Sequence, residues 1–470
     1  MSFLVYDISF LIIFSLFVLI FLIKKRKNLS REGLIFLYRT KLGLKFIDKF
    51  AKSYDKILRP LEYVVLAISY VLMGSIVYMM IYSVYIYLKV PIVAQLIKAP
   101  PIVPLIPYFP KLFNLDSIFP DFYFTYFLVA LLIVAVVHEF SHGIFARLNK
   151  IKIHSTGFAF FGPILGAFVE QDEKQMNNAS KFSQMSILGA GVFANILFAG
   201  LFLLFLWLFF FVAFSPGGAY FNQYASTEIN RTHISHIAGI EIENFSLSDL
   251  NLNETLVRIT AENKSYFTSS EALIMVYEND FEIIPAYYDS PAFNNKIKGS
   301  IISINDAKIN SYNDLSLELS KHSPGENILL TTISEGKPTE YNITLAENNG
   351  SSFIGIGLAS PNTGFISGLI YKITPKINNL FNGIHYESNV GNLGTFIFYM
   401  FWWVMLINFL VALFNMLPLG ILDGGRFFLL TVAGLTKNEK AGIVAYKVAK
   451  WFILLLLLAM MIKWLFAVVI

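Results

Sequence analysis

The sequence predicts a polytopic α-helical membrane protein of about six transmembrane helices, interrupted by an extracytoplasmic α+β insert. Three observations carry that reading. The chain is 56% hydrophobic and only 14% charged, whereas charged residues make up roughly a quarter of a soluble chain. It holds several apolar runs of about 20 residues, the length that crosses a bilayer. Residues 215–394 break this pattern with Asn, Ser, charged residues and short alternating apolar stretches. Among the 470 residues there is no Cys, which excludes a disulfide framework, a thiolate metal site and a cysteine nucleophile together. The net charge of +4 sits beside apolar runs, and that placement favours membrane topology over a nucleic-acid partner.

The first run, residues 3–23, is apolar apart from Asp7 and two serines, and Lys24, Lys25, Arg26 and Lys27 follow at once. A secretory signal places its positive charge before the apolar region, so this run reads as a retained anchor. Residues 24–59 carry twelve Lys/Arg against three acids. By the positive-inside rule they are cytoplasmic, with the N-terminus outside. Within them Phe46, Ile47, Phe50, Tyr54, Ile57 and Leu58 recur at helical spacing. That spacing predicts a helix either lying along the membrane surface or packed on protein. Further spans are expected at residues 63–88, 122–145, 185–214, 395–417 and 448–470. Counting crossings puts 147–181 and 426–450 inside, and 89–121 and 215–394 outside, so the Lys/Arg-rich loops fall inside. Lys463 within the last span would snorkel to the outer interface. Six N-x-[ST] sequons, at Asn230, Asn244, Asn253, Asn263, Asn342 and Asn349, fit an outer face for the insert.

The chain therefore divides into N-terminal anchors with a basic linker (1–121), the first part of a membrane core (122–214), the insert (215–394), and a second part with the last span (395–470). In the insert, residues 299–309 alternate and then turn. Residues 329–333 and 340–345 read as strands, and a helix opens at Asn313 or Asp314 and runs to Leu319. No period of 20–50 residues marks a repeat array.

The chemistry sits near the end of the third span, in Val137-His138-Glu139-Phe140-Ser141-His142-Gly143. Histidines at i and i+4 project from one helix face, the separation at which two imidazoles share one tetrahedral Zn²⁺. The glutamate between them reaches a water rather than the metal and serves as general base. Three ionisable groups at membrane depth are costly without a function. A catalytic site needs a third protein ligand. The other histidines, His154, His233, His236, His322 and His385, lie outside the spans, which leaves Asp423 as the best candidate. It follows the fifth apolar run in Asn415-Met-Leu-Pro418-Leu-Gly-Ile-Leu-Asp423-Gly-Gly425. Pro418 breaks the helix, and the glycines permit the tight backbone that turns a carboxylate back toward the bundle. One Zn²⁺ per chain is expected, with a fourth position open.

His138-Glu139-x-x-His142 together with Asn415-x-x-Pro418-x-x-x-x-Asp423-Gly424 resembles the site-2 protease family of intramembrane zinc metalloproteases. The run Gly189-Ala-Gly191-Val-Phe-Ala-Asn195 is similar to that family's small-residue motif, with Val192 where the family usually has Pro. The resemblance covers residues 122–214 and 395–426. It implies a zinc metalloendopeptidase performing regulated intramembrane proteolysis, with His138, His142 and Asp423 as metal ligands and Glu139 as catalytic base. Its partners would be the lipid bilayer and a membrane-anchored protein substrate, cut in or near its transmembrane helix. Residues 157–170, apolar with regular Gly breaks, read as a re-entrant hairpin and resemble the family's membrane-dipping loop, where a free strand edge could pair with an unwound substrate segment; a simple loop strand capping the bundle is the other reading. Asn195 and Asn415 have two readings as well: helix–helix hydrogen bonds, or contacts to a substrate backbone or oxyanion.

Within the insert, Ser290-Pro-Ala292, residues 297–306, Ser311-Tyr-Asn-Asp-Leu315, Ser323-Pro-Gly-Glu326 and residues 353–358 resemble a PDZ domain. A generic α+β domain is the alternative, and residues 215–284 leave room for a second, degenerate copy. A domain so placed would either filter substrates by the size of their outer portion or simply tether the fold. Two rival functions remain, a metal transporter and an inactive PDZ-bearing scaffold. Intact Glu139 argues against both, because neither needs a general base.

Overall fold

The computed structural model describes residues 3–89, 103–116, 119–162, 164–247, 255–334, 336–357, 383–420 and 422–469. Leu358, at the end of the PDZ-like pattern, and the sequon at Asn253 lie outside the described residues. Among the described residues, six helices are long and apolar enough to cross a membrane: Phe3–Lys24, Asp55–Ile86, Phe124–Leu148, Lys181–Ala213, Gly391–Asn415 and Glu439–Ile462. The chain is a multi-pass membrane protein.

The helix bearing the second span starts well before residue 63, where the sequence reading opened it after the last charge. The reason is the fate of Glu62. Its carboxylate is 5% exposed and accepts hydrogen bonds from Asn149 Nδ2 and Ser186 Oγ, each at 2.7 Å. A buried carboxylate so supplied with donors does not end a helix. The sixth helix likewise begins at Glu439, nine residues before the apolar run that announced it.

The chain clusters into two units, residues 1–212 with 392–470, and residues 213–391. In the first unit, Asp7 joins the first span to the third. Its carboxylate is 2% exposed and accepts from the backbone N–H of Phe124 (2.7 Å) and Thr125 (3.0 Å), the Thr125 hydroxyl (2.6 Å) and the Tyr108 hydroxyl (2.7 Å). The first turn of a helix leaves N–H groups without intrahelical partners and carries the positive end of its dipole. Asp7 thus caps the third span from a neighbouring helix.

A four-stranded antiparallel sheet completes this unit: β1 (Leu29–Glu32), β2 (Ile35–Thr40), β3 (Ile153–Phe161) and β4 (Ile164–Gln171), in that spatial order. The basic linker supplies, besides the helix Leu44–Ser53 that its spacing predicts, two strands that the sequence does not announce. The 157–170 segment forms an antiparallel hairpin rather than a simple loop strand, and β2 extends it into a sheet. Gly157 lies opposite Arg39, and a Cβ there would stand 2.3 Å from the Tyr38 carbonyl oxygen, so only glycine lets the strands close. Phe21 of the first span packs on Tyr38 and Phe160, at centroid distances of 5.2 and 5.5 Å.

The second unit holds two β bodies with separate cores. One packs Ile237, Ile259, Leu273 and Ile284; the other packs Ile301, Ile304, Leu315, Ile328 and Ile343. Residues 226–288, legible only as β-like, form the first body. In it Lys264–Ser269, Leu256–Ala261, Ile234–Ile237 and Ile240–Glu241 are successive neighbours. The second body repeats that order with Lys337–Thr344, Asn327–Ser334, Ser300–Ile304 and Ala307–Lys308. The sequence leaves room for a second, degenerate copy in residues 215–284, and strand order is what the two bodies have in common. The helix of the second body is Tyr312–Leu319, opening one residue before the expected start because Ser311 caps it, accepting from the Asp314 N–H.

Candidate metal centre

His138 and His142 lie one turn apart on the third span and are 8% and 7% exposed. Their Nε2 atoms are 3.0 Å apart, and Asp423 Oδ2 stands 3.1 Å from the first and 3.4 Å from the second. Three residues 285 positions apart in sequence at the widest thus converge on one point, and together they could hold a metal ion.

The fit can be tested on these separations. With metal–nitrogen bonds of 2.0–2.1 Å and tetrahedral angles, two ligand atoms lie about 3.3 Å apart. All three separations are close to that. The tautomers must also suit, since a metal needs an unprotonated Nε2, with the proton on Nδ1. His142 meets this: Nδ1 lies 2.6 Å from the backbone carbonyl oxygen of Ile187, to which only an N–H can donate. At His138, Nδ1 lies 3.1 Å from the carboxamide nitrogen of Asn195, while the Asn195 Oδ1 is buried without a partner. Amide oxygen and nitrogen are assigned from the hydrogen-bond network. Exchanging them places the orphaned oxygen on His138 Nδ1–H and frees its Nε2 as well.

Ile187, Gly191 and Asn195 follow one another at four-residue intervals along the fourth span, on one helix face. Gly191 makes the room. A Cβ there would lie 2.5 Å from His142 Nε2 and 2.7 Å from His138 Cε1. Gly189, on the other side, lets Ser69 of the second span approach; a Cβ would lie 2.5 Å from its hydroxyl. The small-residue run thus does two jobs, helix packing at Gly189 and ligand placement from Gly191 to Asn195. The sequence names Gly191 and Asn195 in one small-residue run but not the room Gly191 makes for the imidazoles or the Ile187 carbonyl, although the i, i+4 interval between Gly191 and Asn195 is a signal.

Asp423 reaches the centre through a tight reversal. The fifth span ends at Asn415 and a new helix, Asp423–Thr436, begins with the ligand in its first turn, where the helix dipole favours a carboxylate. A Cβ at Gly424 would lie 2.3 Å from the Met416 carbonyl carbon, and one at Gly425 would lie 2.3 Å from the Leu419 carbonyl oxygen. Both glycines are therefore needed for the reversal to close. Asn415 is half-buried at the end of its helix.

Glu139 Oε2 accepts the Val169 N–H of β4 at 3.1 Å. The outward edge of β4 therefore runs beside the glutamate. A cavity of about 320 Å³ opens here, lined by His142, Val169, Glu170, Glu173, Asp423 and Arg426 among others. It gives water a polar route to two of the ligand residues.

Residues 126–458 match the sequence model of Peptidase family M50. An uncharacterized protein of Methanocaldococcus jannaschii is 32% identical over 188 residues, which is 39% of this chain and 46% of that protein's length. The family match extends over most of the chain and takes in the histidines, Glu139, Asn195 and Asp423: the protein belongs to the site-2 protease family of membrane metallopeptidases, Peptidase family M50.

Proposed function

We propose that the protein is an active intramembrane zinc endopeptidase, hydrolysing peptide bonds in or near the transmembrane helices of membrane-anchored proteins. The observation that carries this is the convergence of His138, His142 and Asp423 with Glu139 one residue from the first ligand. His138, His142 and Asp423 would hold the Zn²⁺, which supplies Lewis acidity toward a carbonyl oxygen. The Glu139 carboxylate takes a proton from the attacking water and returns it to the leaving amine, so that one group serves both halves of the hydrolysis. The Asn195 carboxamide holds His138 in the ligating tautomer, and Asn415 is left to contact the substrate backbone.

An intact helix hides its peptide bonds in i to i−4 hydrogen bonds, so a substrate must unwind before it is cut. The free edge of β4 offers the unwound segment a strand to pair with. By the positive-inside count the centre faces the cytoplasm and residues 215–394 lie outside, where the two β bodies would act as PDZ-like modules that filter substrates.

The test measures zinc content and cleavage of a single-pass membrane substrate together. Glu139→Ala should keep one zinc and lose cleavage by about 10³-fold or more. Asp423→Ala should lose both. Full zinc occupancy in Asp423→Ala would remove that residue from the site, undiminished cleavage by Glu139→Ala would remove Glu139 as the base, and no cleavage by the zinc-loaded wild type would end the protease reading. Introducing Gly or Pro near the cut should speed cleavage; uniform slowing would end the unwinding step.

A further inference from the structure

The helix Leu44–Ser53 presents three faces. Ile47 and Ala51 are buried in the core shared with Ile144 and Val169. Phe46 and Phe50 form an aromatic face, ring centroids 5.7 Å apart. Lys45, Lys49 and Lys52, at i, i+4 and i+7, are exposed along the third face. The acid on this helix, Asp48, is taken by Arg147 at 2.6 Å, so the lysine face is left wholly positive. The helix is fixed in place: a Cβ at Gly43 would lie 2.5 Å from the Phe140 ring.

Beside the aromatic face opens a groove of about 410 Å³ with almost wholly apolar walls, formed by Phe50, Leu58, Phe140, Ile144, Phe193 and Leu197 with their neighbours. Along the third span it runs from Val136 to Phe145, about 13 Å at the rise of an α-helix. At 100° per residue, Phe140 and Ile144 face away from His138 and His142, and neither histidine nor Glu139 lines the groove. No reacting group looks into it, so it is not a seat for a bond to be cut.

We propose that this groove and the adjoining lysines bind an anionic glycerophospholipid, with an acyl chain in the groove and the phosphate on Lys45, Lys49 and Lys52. The occupant follows from the two chemistries side by side. A narrow apolar channel in a chain surrounded by bilayer takes a hydrocarbon tail. Lys45, Lys49 and Lys52 share a helix with Phe46 and Phe50, which line the groove, and their ammoniums attract a negative headgroup. The inference stands apart from proteolysis and does not depend on which leaflet the helix faces.

The experiment uses the full-length protein in neutral detergent, titrated with phosphatidylglycerol or phosphatidylcholine of identical chains and read by native mass spectrometry. The wild type should bind phosphatidylglycerol at about tenfold lower concentration. The triple variant Lys45→Gln/Lys49→Gln/Lys52→Gln alters surface side chains only and should abolish that preference while still binding both lipids. Ala194→Phe, which fills the groove, should weaken both; Leu197→Trp at the rim replaces it should the first not fold, as read by zinc content. An unchanged preference in the triple variant overturns the headgroup site. Unchanged binding of both lipids in the folded groove variant overturns the tail site. Displacement of phosphatidylglycerol by glycerol phosphate alone would make the ligand a free phosphate and overturn the lipid.

Discussion

The carboxamide of Asn195 stands 3.1 Å from Nδ1 of His138. One turn earlier, Gly191 leaves the space that a Cβ would take from both imidazoles. The fourth span therefore contributes no ligand yet decides whether the third span's histidines can ligate. Groups that orient a metal-ligating histidine are worth roughly 10–100-fold in metal affinity. Asn195→Leu should weaken zinc binding by that range. Asn195→Asp, which keeps an acceptor for Nδ1–H, should retain more of the affinity than Asn195→Leu. Gly191→Ala should cost more than Asn195→Leu, because the added methyl displaces the rings themselves. Competition with a chromophoric chelator measures all three; equal affinity in the wild type and Asn195→Leu would show that the amide does not orient His138.

Asp7 is the same device used for stability. It supplies four acceptor contacts to Tyr108, Phe124 and Thr125, in a place where water does not replace them. Leaving a buried donor unsatisfied costs about 1–3 kcal/mol. Asp7→Ala should therefore destabilise the folded protein by at least about 2 kcal/mol, and Asp7→Asn by less. Thermal unfolding in detergent, followed by far-ultraviolet circular dichroism, reads the difference. A melting temperature unchanged in Asp7→Ala would mean that the first span is held by packing alone.

Much of this architecture was legible in the residues, for identifiable reasons. Six spans and the HExxH face are local signals: apolar length and a four-residue interval survive without knowledge of tertiary contacts. Asp423 was reachable because the absence of Cys and the placement of the other histidines left few ligands. What escaped was long-range. β1 and β2 are short strands that acquire meaning only by pairing with β3, more than a hundred residues on. Asp7 reads as an interruption in an apolar run, and Glu62 falls outside the second one, because their partners, Thr125 and Ser186, are over a hundred residues away in sequence. Gly191 looked like a packing residue because nothing local says that two imidazoles need its vacant Cβ.

Glu170, at the end of β4, makes the sheet sensitive to acid. The Ser155 hydroxyl above all, opposed by burial and helped by the Arg39 guanidinium 3.1 Å away, holds its carboxyl below the usual carboxylate range. A carboxyl whose pKa is depressed by folding stabilises the fold above its unfolded value of about 4.3 and loses that contribution as pH falls through the folded value. The wild type should therefore melt higher than Glu170→Gln at pH 7, and the two should converge as pH falls below about 4. A gap that stays constant down to pH 3 would mean that the carboxylate charge is not what the sheet uses.

The edge of β4 gives the sharpest test of how a substrate is held. Val169 lies opposite Thr156 across the β3–β4 pair, and its N–H points outward to Glu139 rather than to β3. Proline is tolerated on an edge strand where its missing N–H faces outward. Val169→Pro thus removes one outward donor while leaving the inner ladder and the three metal ligands untouched. If an unwound substrate pairs along this edge, the variant should keep its zinc and its melting temperature and lose cleavage of a membrane-anchored substrate. One lost backbone hydrogen bond, at about 0.5–1.5 kcal/mol, corresponds to a fall of about 2–12-fold in kcat/KM. A short soluble peptide that binds without pairing should be cut as before, which separates strand pairing from damage to Glu139. Should both substrates slow equally, the N–H acts on the glutamate instead, and β4 is not the surface on which the substrate is laid out.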